Sequence, residues 1–165
     1  MSAEAWIILG TGIVAALIAF WGVMSQRAIS RRLATIEHIS ELESDRDMID
    51  ARQRFIELAK GNGGLEPFAE EDKERDPDTQ KIKIVLNDFE LIAIGIQLGI
   101  FDEELYARWH KTGAMQFWHR AQPFVMRLRA RIANDQIYRE YEAMVGRFKR
   151  GSGARRRGWR FLKFR

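Results

Sequence analysis

Trp6–Met24, WIILGTGIVAALIAFWGVM, contains no charged residue and is followed closely by Arg27, Arg31 and Arg32. As a helix rising about 1.5 Å per residue it is about 28 Å long. That length just spans a hydrocarbon core of roughly 30 Å. A lipid environment offers the backbone no partners, so an unbroken helix is the form that satisfies its own hydrogen bonds. Trp6 and Trp21 fall near the two ends, where amphipathic rings favour the headgroup zone. A buried helix of a soluble protein is the alternative, but this stretch is apolar on every face.

The flanking charges give the span a direction. MSAEA, ahead of it, carries Glu4 as its one charged side chain, while the arginines follow it. Positive segments stay in the cytoplasm, so residues 1–5 are expected outside, 6–24 across the membrane and everything after Met24 inside. The lack of positive charge before the apolar stretch argues for an uncleaved anchor rather than a signal peptide. Gly12, Ala16 and Ala19, with Gly10 and Ala15, make a small-residue stripe that would let a second copy's helix approach, predicting a homodimer.

Beyond the anchor, the chain is long enough for one small domain. It has no cysteine, which excludes disulfides, Cys-ligated zinc and thiol nucleophiles. The net charge of +4 conceals an asymmetry: nine of the 27 basic residues lie between Arg147 and Arg165, where there is no acid. The remaining 18 face 23 acids, so the rest of the chain is mildly acidic and the basic character belongs to the C-terminal end.

Residues 25–60 read as a juxtamembrane amphipathic helix, with Ile29, Leu33, Ile36 and Ile39 at three-and-four spacing and Phe55, Ile56 and Leu58 resuming it. No Pro or Gly interrupts this segment before GNGG at Gly61–Gly64, a clear stop. Residues 61–79 are expected to form an acidic loop with seven carboxylates and two prolines, solvated rather than calcium-binding because the EF-hand order of ligands is missing. Residues 80–148 form the bundle core. Within it, Lys81–Gly99, KIKIVLNDFELIAIGIQLG, is apolar nearly all round, as a central helix would be. Its Lys81, Lys83, Asp88 and Glu90 argue against a second crossing. Asp102 caps the next helix, with Glu103 and Glu104 in its first turn. Gly113 is read as a break in that helix and Pro123 as the start of the last one, Phe124–Phe148. No segment alternates with period two for long. The fold class is all-α: one N-terminal transmembrane helix followed by a small cytoplasmic helical bundle.

Chemistry-bearing constellations are sparse. His38, His110 and His119 do not pair at a metal-binding helical spacing. GNGG follows a helix rather than a strand, and neither phosphate-loop pattern occurs. No serine stands in a nucleophile-elbow setting. The expectation is a protein that is no enzyme and holds no cofactor or metal. The best polar cluster is Asn87-Asp88-Phe89-Glu90. Its structural reading pairs Glu90 with an arginine of the RLRAR segment, Arg127, Arg129 or Arg131, because a buried carboxylate needs a charged, hydrogen-bonded partner. Its functional reading is a small-ligand site at Asn87 and Glu90.

The basic-aromatic tail, residues 149–165, differs from the rest. After a hinge expected at Gly151–Gly153, Arg155, Arg156, Arg157, Arg160, Lys163 and Arg165 interleave with Trp159, Phe161 and Phe164. Arginines near an anionic leaflet gain about 1 kcal/mol each, and aromatics insert at the interface. Anionic lipid headgroups are the nearer partner for an anchored chain. Nucleic acid, through phosphate contacts and stacking, is the alternative.

Ile84–Trp109, IVLNDFELIAIGIQLGIFDEELYARW, resembles a bacterial family catalogued as domain of unknown function 4760. The resemblance rests on Leu86-Asn87-x-Phe89-Glu90, on Ala93-Ile94-Gly95-Ile96, and on Gly99 followed closely by Asp102. It implies a membrane helix joined to a small helical cytoplasmic domain and assigns no reaction; with the charge asymmetry, the location expected is the bacterial inner membrane. Together these readings predict a non-enzymatic interaction or scaffolding module with an unnamed protein partner; a membrane-tethered nucleic-acid binder is the runner-up.

Overall fold

The computed structural model describes the backbone of residues 3–160 and the side chains of residues 10–151. Among these residues there are five α-helices, two 3-10 turns and no strand. Helix α1, Ala3–Ser44, carries the apolar stretch. From Gly10 onward its apolar window has no buried residue, and it is long and apolar enough to cross a membrane.

The expected single helix over 25–60 is two. Asp45 adopts extended backbone, φ −76° and ψ 111°, and its carboxylate accepts hydrogen bonds from the N–H groups of Asp47 and Met48. A side-chain cap can end one helix and start another without Pro or Gly, because it satisfies the amides the new helix leaves open. The bend lets helix α2, Arg46–Lys60, turn Met48, Ala51 and Phe55 into the core.

The acidic segment is more ordered than a solvated loop. Gly63 and Gly64 make the turn with φ of +85° and +61°. Short 3-10 turns at Glu66–Ala69 and Glu71–Lys73 follow, and Leu65 and Ala69 are buried. Asp76 caps helix α3, Pro77–Gln97, with Pro77 in its first turn. Ten residues of α3 are buried, so it is the central helix expected from its composition.

Helix α4, Glu103–Ile132, runs through both positions expected to interrupt it, Gly113 and Pro123. Gly113 is there for close packing: a Cβ would lie 2.7 Å from His110 Cε1. Pro123 is exposed and tolerated within the helix. The chain reverses at residues 133–138, where Ala133 and Tyr138 have φ of +52° and +56°, so the last helix starts at Arg139 rather than Phe124. Helix α5, Arg139–Arg160, continues through Gly151–Gly153, so the expected hinge has helical backbone. Glycine costs a helix only about 1 kcal/mol relative to alanine, and the flanking arginines favour helix.

Aromatic side chains tie the helices together. Tyr141 of α5 stacks on Phe89 of α3 at 4.6 Å and meets Trp118 of α4 edge-on at 5.1 Å. Its hydroxyl donates to the carbonyl of Ala114 at 2.7 Å. Phe117 links Phe55 of α2 to Phe89.

Candidate functional site

The polar residues of α3 divide between two faces. Asp88 points toward α1 and α2; Asn87 and Glu90 point toward α5. The expected single cluster is therefore two separate sites.

Asp88 is buried, and its carboxylate stands 3.4 Å from Arg52 Nη2 of α2 and 3.4 Å from His38 Nε2 of α1. Arg52 also reaches Glu43 at 3.5 Å. His38 Nε2 lies close to Asp88 but makes no hydrogen bond of good geometry. The His38 ring stacks on Phe101, with centroids 5.2 Å apart. Phe101 in turn packs so closely on Gly95 that any Cβ there would lie 2.3 Å from its ring.

One turn earlier on α1, the Thr35 hydroxyl accepts from the Asp102 amide at 2.8 Å and donates to the Arg31 carbonyl at 2.7 Å. Asp102 caps α4 through the Leu105 amide at 2.9 Å, and Arg32 lies 3.5 Å from its other oxygen. The Leu105 amide holds the Asp102 carboxyl below its usual pKa against the opposing effect of burial, with Arg32 assisting. Thr35, His38, Asp88 and Asp102 thus form a polar joint where the long apolar helix grips the bundle. A buried carboxylate persists only when paired and hydrogen-bonded. Here the pairing joins three helices distant in sequence.

On the opposite face, Glu90 takes no arginine. Its two oxygens accept the amides of Glu140 at 3.2 Å and Tyr141 at 2.7 Å, capping the first turn of α5. Burial raises its pKa, and the two amide bonds partly offset that rise. Open amides and the helix dipole serve a carboxylate as an arginine would, which is why the charged partner is dispensable. Asn87 accepts from the Tyr138 hydroxyl at 3.2 Å. Arg129 bonds the Ile137 carbonyl at 2.8 Å and Glu142 at 2.9 Å. The remaining arginines of the RLRAR segment latch the acidic segment: Arg127 to Glu70 at 2.8 Å and Arg131 to Glu74 at 3.5 Å.

His110 lies against Phe89 and Trp109, and burial, then Arg52, hold its pKa below the usual imidazole value. Among the described residues no group of three His, Asp or Glu is arranged to hold a metal. Trp21 is exposed on α1, as are Arg27 and Arg31. Trp6 lies on the backbone of α1 and Arg155, Arg156, Arg157, Trp159 and Arg160 on that of α5, with side chains outside the described residues. Phe161, Lys163, Phe164 and Arg165 lie wholly outside them.

Sequence reasoning missed Thr35, His38 and Arg52. Thr35 shares its helix face with Arg31, Arg32 and His38, so no local pattern marks it as buried. The other two depend on how α1 and α2 lie against α3.

These features define a class: an all-α protein whose bundle is clamped to one exposed helix of membrane-spanning length. The chain belongs to the family described as Domain of unknown function (DUF4760), whose model matches residues 6–148. The match takes in the apolar span and the bundle and stops where the basic-aromatic tail begins. No curated protein and no solved structure matches the chain.

Proposed function

We propose that the protein is a single-pass inner-membrane protein with its N-terminus outside, whose cytoplasmic bundle is a non-enzymatic interaction module. The observation that carries this reading is the uncovered face of α3. Ile84 and Leu91 of the helix that otherwise forms the core, and Leu98 at its C-cap, seven residues apart, are 42%, 57% and 68% exposed. Ile29, Leu33 and Ile36 of α1 are likewise exposed. Large apolar side chains aligned on a helix mark a surface suited to a partner helix, since their burial is favourable by about 25 cal/mol per Å².

The test is purification from native membranes of the intact protein, an Ile84→Ser/Leu91→Ser variant and a form ending at Gly151. Proteins that follow the intact and shortened forms but not the double variant support an interaction module acting through α3. Nuclease-sensitive nucleic acid that follows only the intact form favours a tail-borne nucleic-acid tether instead. A self-association that the double variant abolishes identifies the partner as a second copy.

A further inference from the structure

Where α1 ends its apolar stretch, the bundle leans back toward it. Between Val23, Met24, Arg27 and Arg31 on α1 and Gly99 and Ile100 in the turn after α3 lies an open groove of about 760 Å³. Its position is set by the polar joint: Thr35 holds the Asp102 amide and His38 stacks on Phe101, so the turn that ends at Phe101 is carried up beside the last turns of the apolar span. Gly99 makes that turn possible with φ of +70°, and Ile100 projects from it 51% exposed.

Along α1 the lining passes from Val23 and Met24 through Gln26, Arg27, Ser30 and Arg31 to Ala34. Val23 and Met24 are exposed apolar residues at the end of the span. Arg27 and Arg31 stand about one and two turns further on, facing the groove, and no acid lines it. Neither guanidinium has an ion pair or side-chain hydrogen bond among the described residues, whereas Arg32 beside them is paired with Asp102. Apolar side chains at the hydrocarbon edge, with two cations about 5–10 Å beyond it that form no close ion pair, reproduce the layering of a phospholipid, although Arg31 also acts on Asp102 at longer range.

We propose that this groove holds one anionic phospholipid of the bilayer crossed by α1, with its phosphate between Arg27 and Arg31 and an acyl chain against Ile100, Val23 and Met24. The lipid wedges the bundle at a fixed tilt on the membrane surface. The proposal rests on α1 being a membrane anchor. It goes beyond that reading by assigning a site between α1 and the bundle.

The chain has no cysteine, so single labelling sites are clean. The full-length protein carrying Ile100→Cys or, as a control, Asn62→Cys is labelled with an environment-sensitive fluorophore and reconstituted into phosphatidylcholine vesicles with and without phosphatidylglycerol. The expected result is a blue-shifted, quencher-protected signal at position 100 that strengthens with phosphatidylglycerol, while position 62 stays aqueous. In detergent extracts, native mass spectrometry should find phosphatidylglycerol retained by the wild type and about tenfold less by Arg27→Gln/Arg31→Gln, with its helix content unchanged. Membrane insertion is scored in the same samples by resistance to alkaline extraction. A protein that is stripped from the vesicles overturns the anchor reading itself. A protein that stays inserted, but whose position 100 remains aqueous in both vesicle types, overturns the lipid site alone. Cross-linking of position 100 to a second copy, with no lipid retained, overturns it equally.

Discussion

Two apolar stretches of similar length, Trp6–Met24 in α1 and Lys81–Gly99 in α3 and the turn that ends it, have opposite surroundings. The first is exposed along its described length from Gly10; the second buries nine residues from Ile82 to Ile96. Both read as apolar around the helix. The difference is where polar groups interrupt them. The α1 stretch has none that is charged, so lipid is the solvent that suits it. The α3 stretch carries Asp88 and Glu90, and each meets a partner that only a folded bundle supplies: Arg52 and His38 for one, the first amides of α5 for the other. Apolar composition selects burial; sparse polar residues select whether protein or lipid does the burying.

The contrast can be broken from either side. Phe89→Ala should have the largest effect, lowering stability by about 3–5 kcal/mol in a denaturant titration, because it empties the space shared with Tyr141, Phe117 and His110. It should leave membrane retention unchanged. Leu17→Arg should do the reverse: a charge near the centre of the span costs about 2.5–3.5 kcal/mol of insertion. Released protein after alkaline extraction, with unaltered unfolding of the bundle, would confirm the division.

Next comes the joint. Asp88→Ala leaves the partly buried Arg52 with only the more exposed Glu43 as a partner and should destabilise by about 2–3 kcal/mol. Hydrogen exchange should locate the loss at the contact of α1 and α2 with α3. Glu90→Ala should cost about 1–2 kcal/mol by uncapping α5, with fraying of Arg139–Glu142 as its signature. If an added arginine-independent ligand restored it, the small-ligand reading would return.

The smallest effects are in pH. Asp102 has a folded pKa below its ordinary 3.8, so its contribution is present above that value and is lost as acid protonates the folded carboxylate. Asp102→Asn should therefore flatten the acid limb of a melting-temperature profile. Glu90 has a folded pKa above 4.5, so the folded state holds its proton longer than the unfolded chain. Its contribution is greatest below 4.5 and declines as pH rises toward the folded value. Glu90→Gln should remove that decline, giving a pH slope opposite in sign to that of Asp102→Asn.

Much of this architecture was readable from local pattern. The charge-free span, the stop at GNGG, the central character of α3 and the Asp102 cap each follow from a few consecutive residues. The errors have physical reasons. Gly113 and Pro123 are helix-boundary residues by local pattern, but the room His110 needs and the exposure of Pro123 let α4 run on. Asp45 broke a helix that had neither glycine nor proline, because one carboxylate can hold two amides. Asn87, Asp88 and Glu90 are adjacent in sequence, yet Asp88 points away from the other two.

The sequence by itself determined that this chain has one membrane-length helix, an all-α domain and a basic C-terminal end, since those depend on hydropathy, periodicity and charge along short stretches. Only the tertiary structure decided that Asp88 meets Arg52 and His38, that Glu90 caps α5, and that Ile100 lines one groove with Val23, Met24, Arg27 and Arg31. Those neighbours lie about 35 to 75 residues apart, and their meeting depends on the register in which helices pack, which no local pattern encodes.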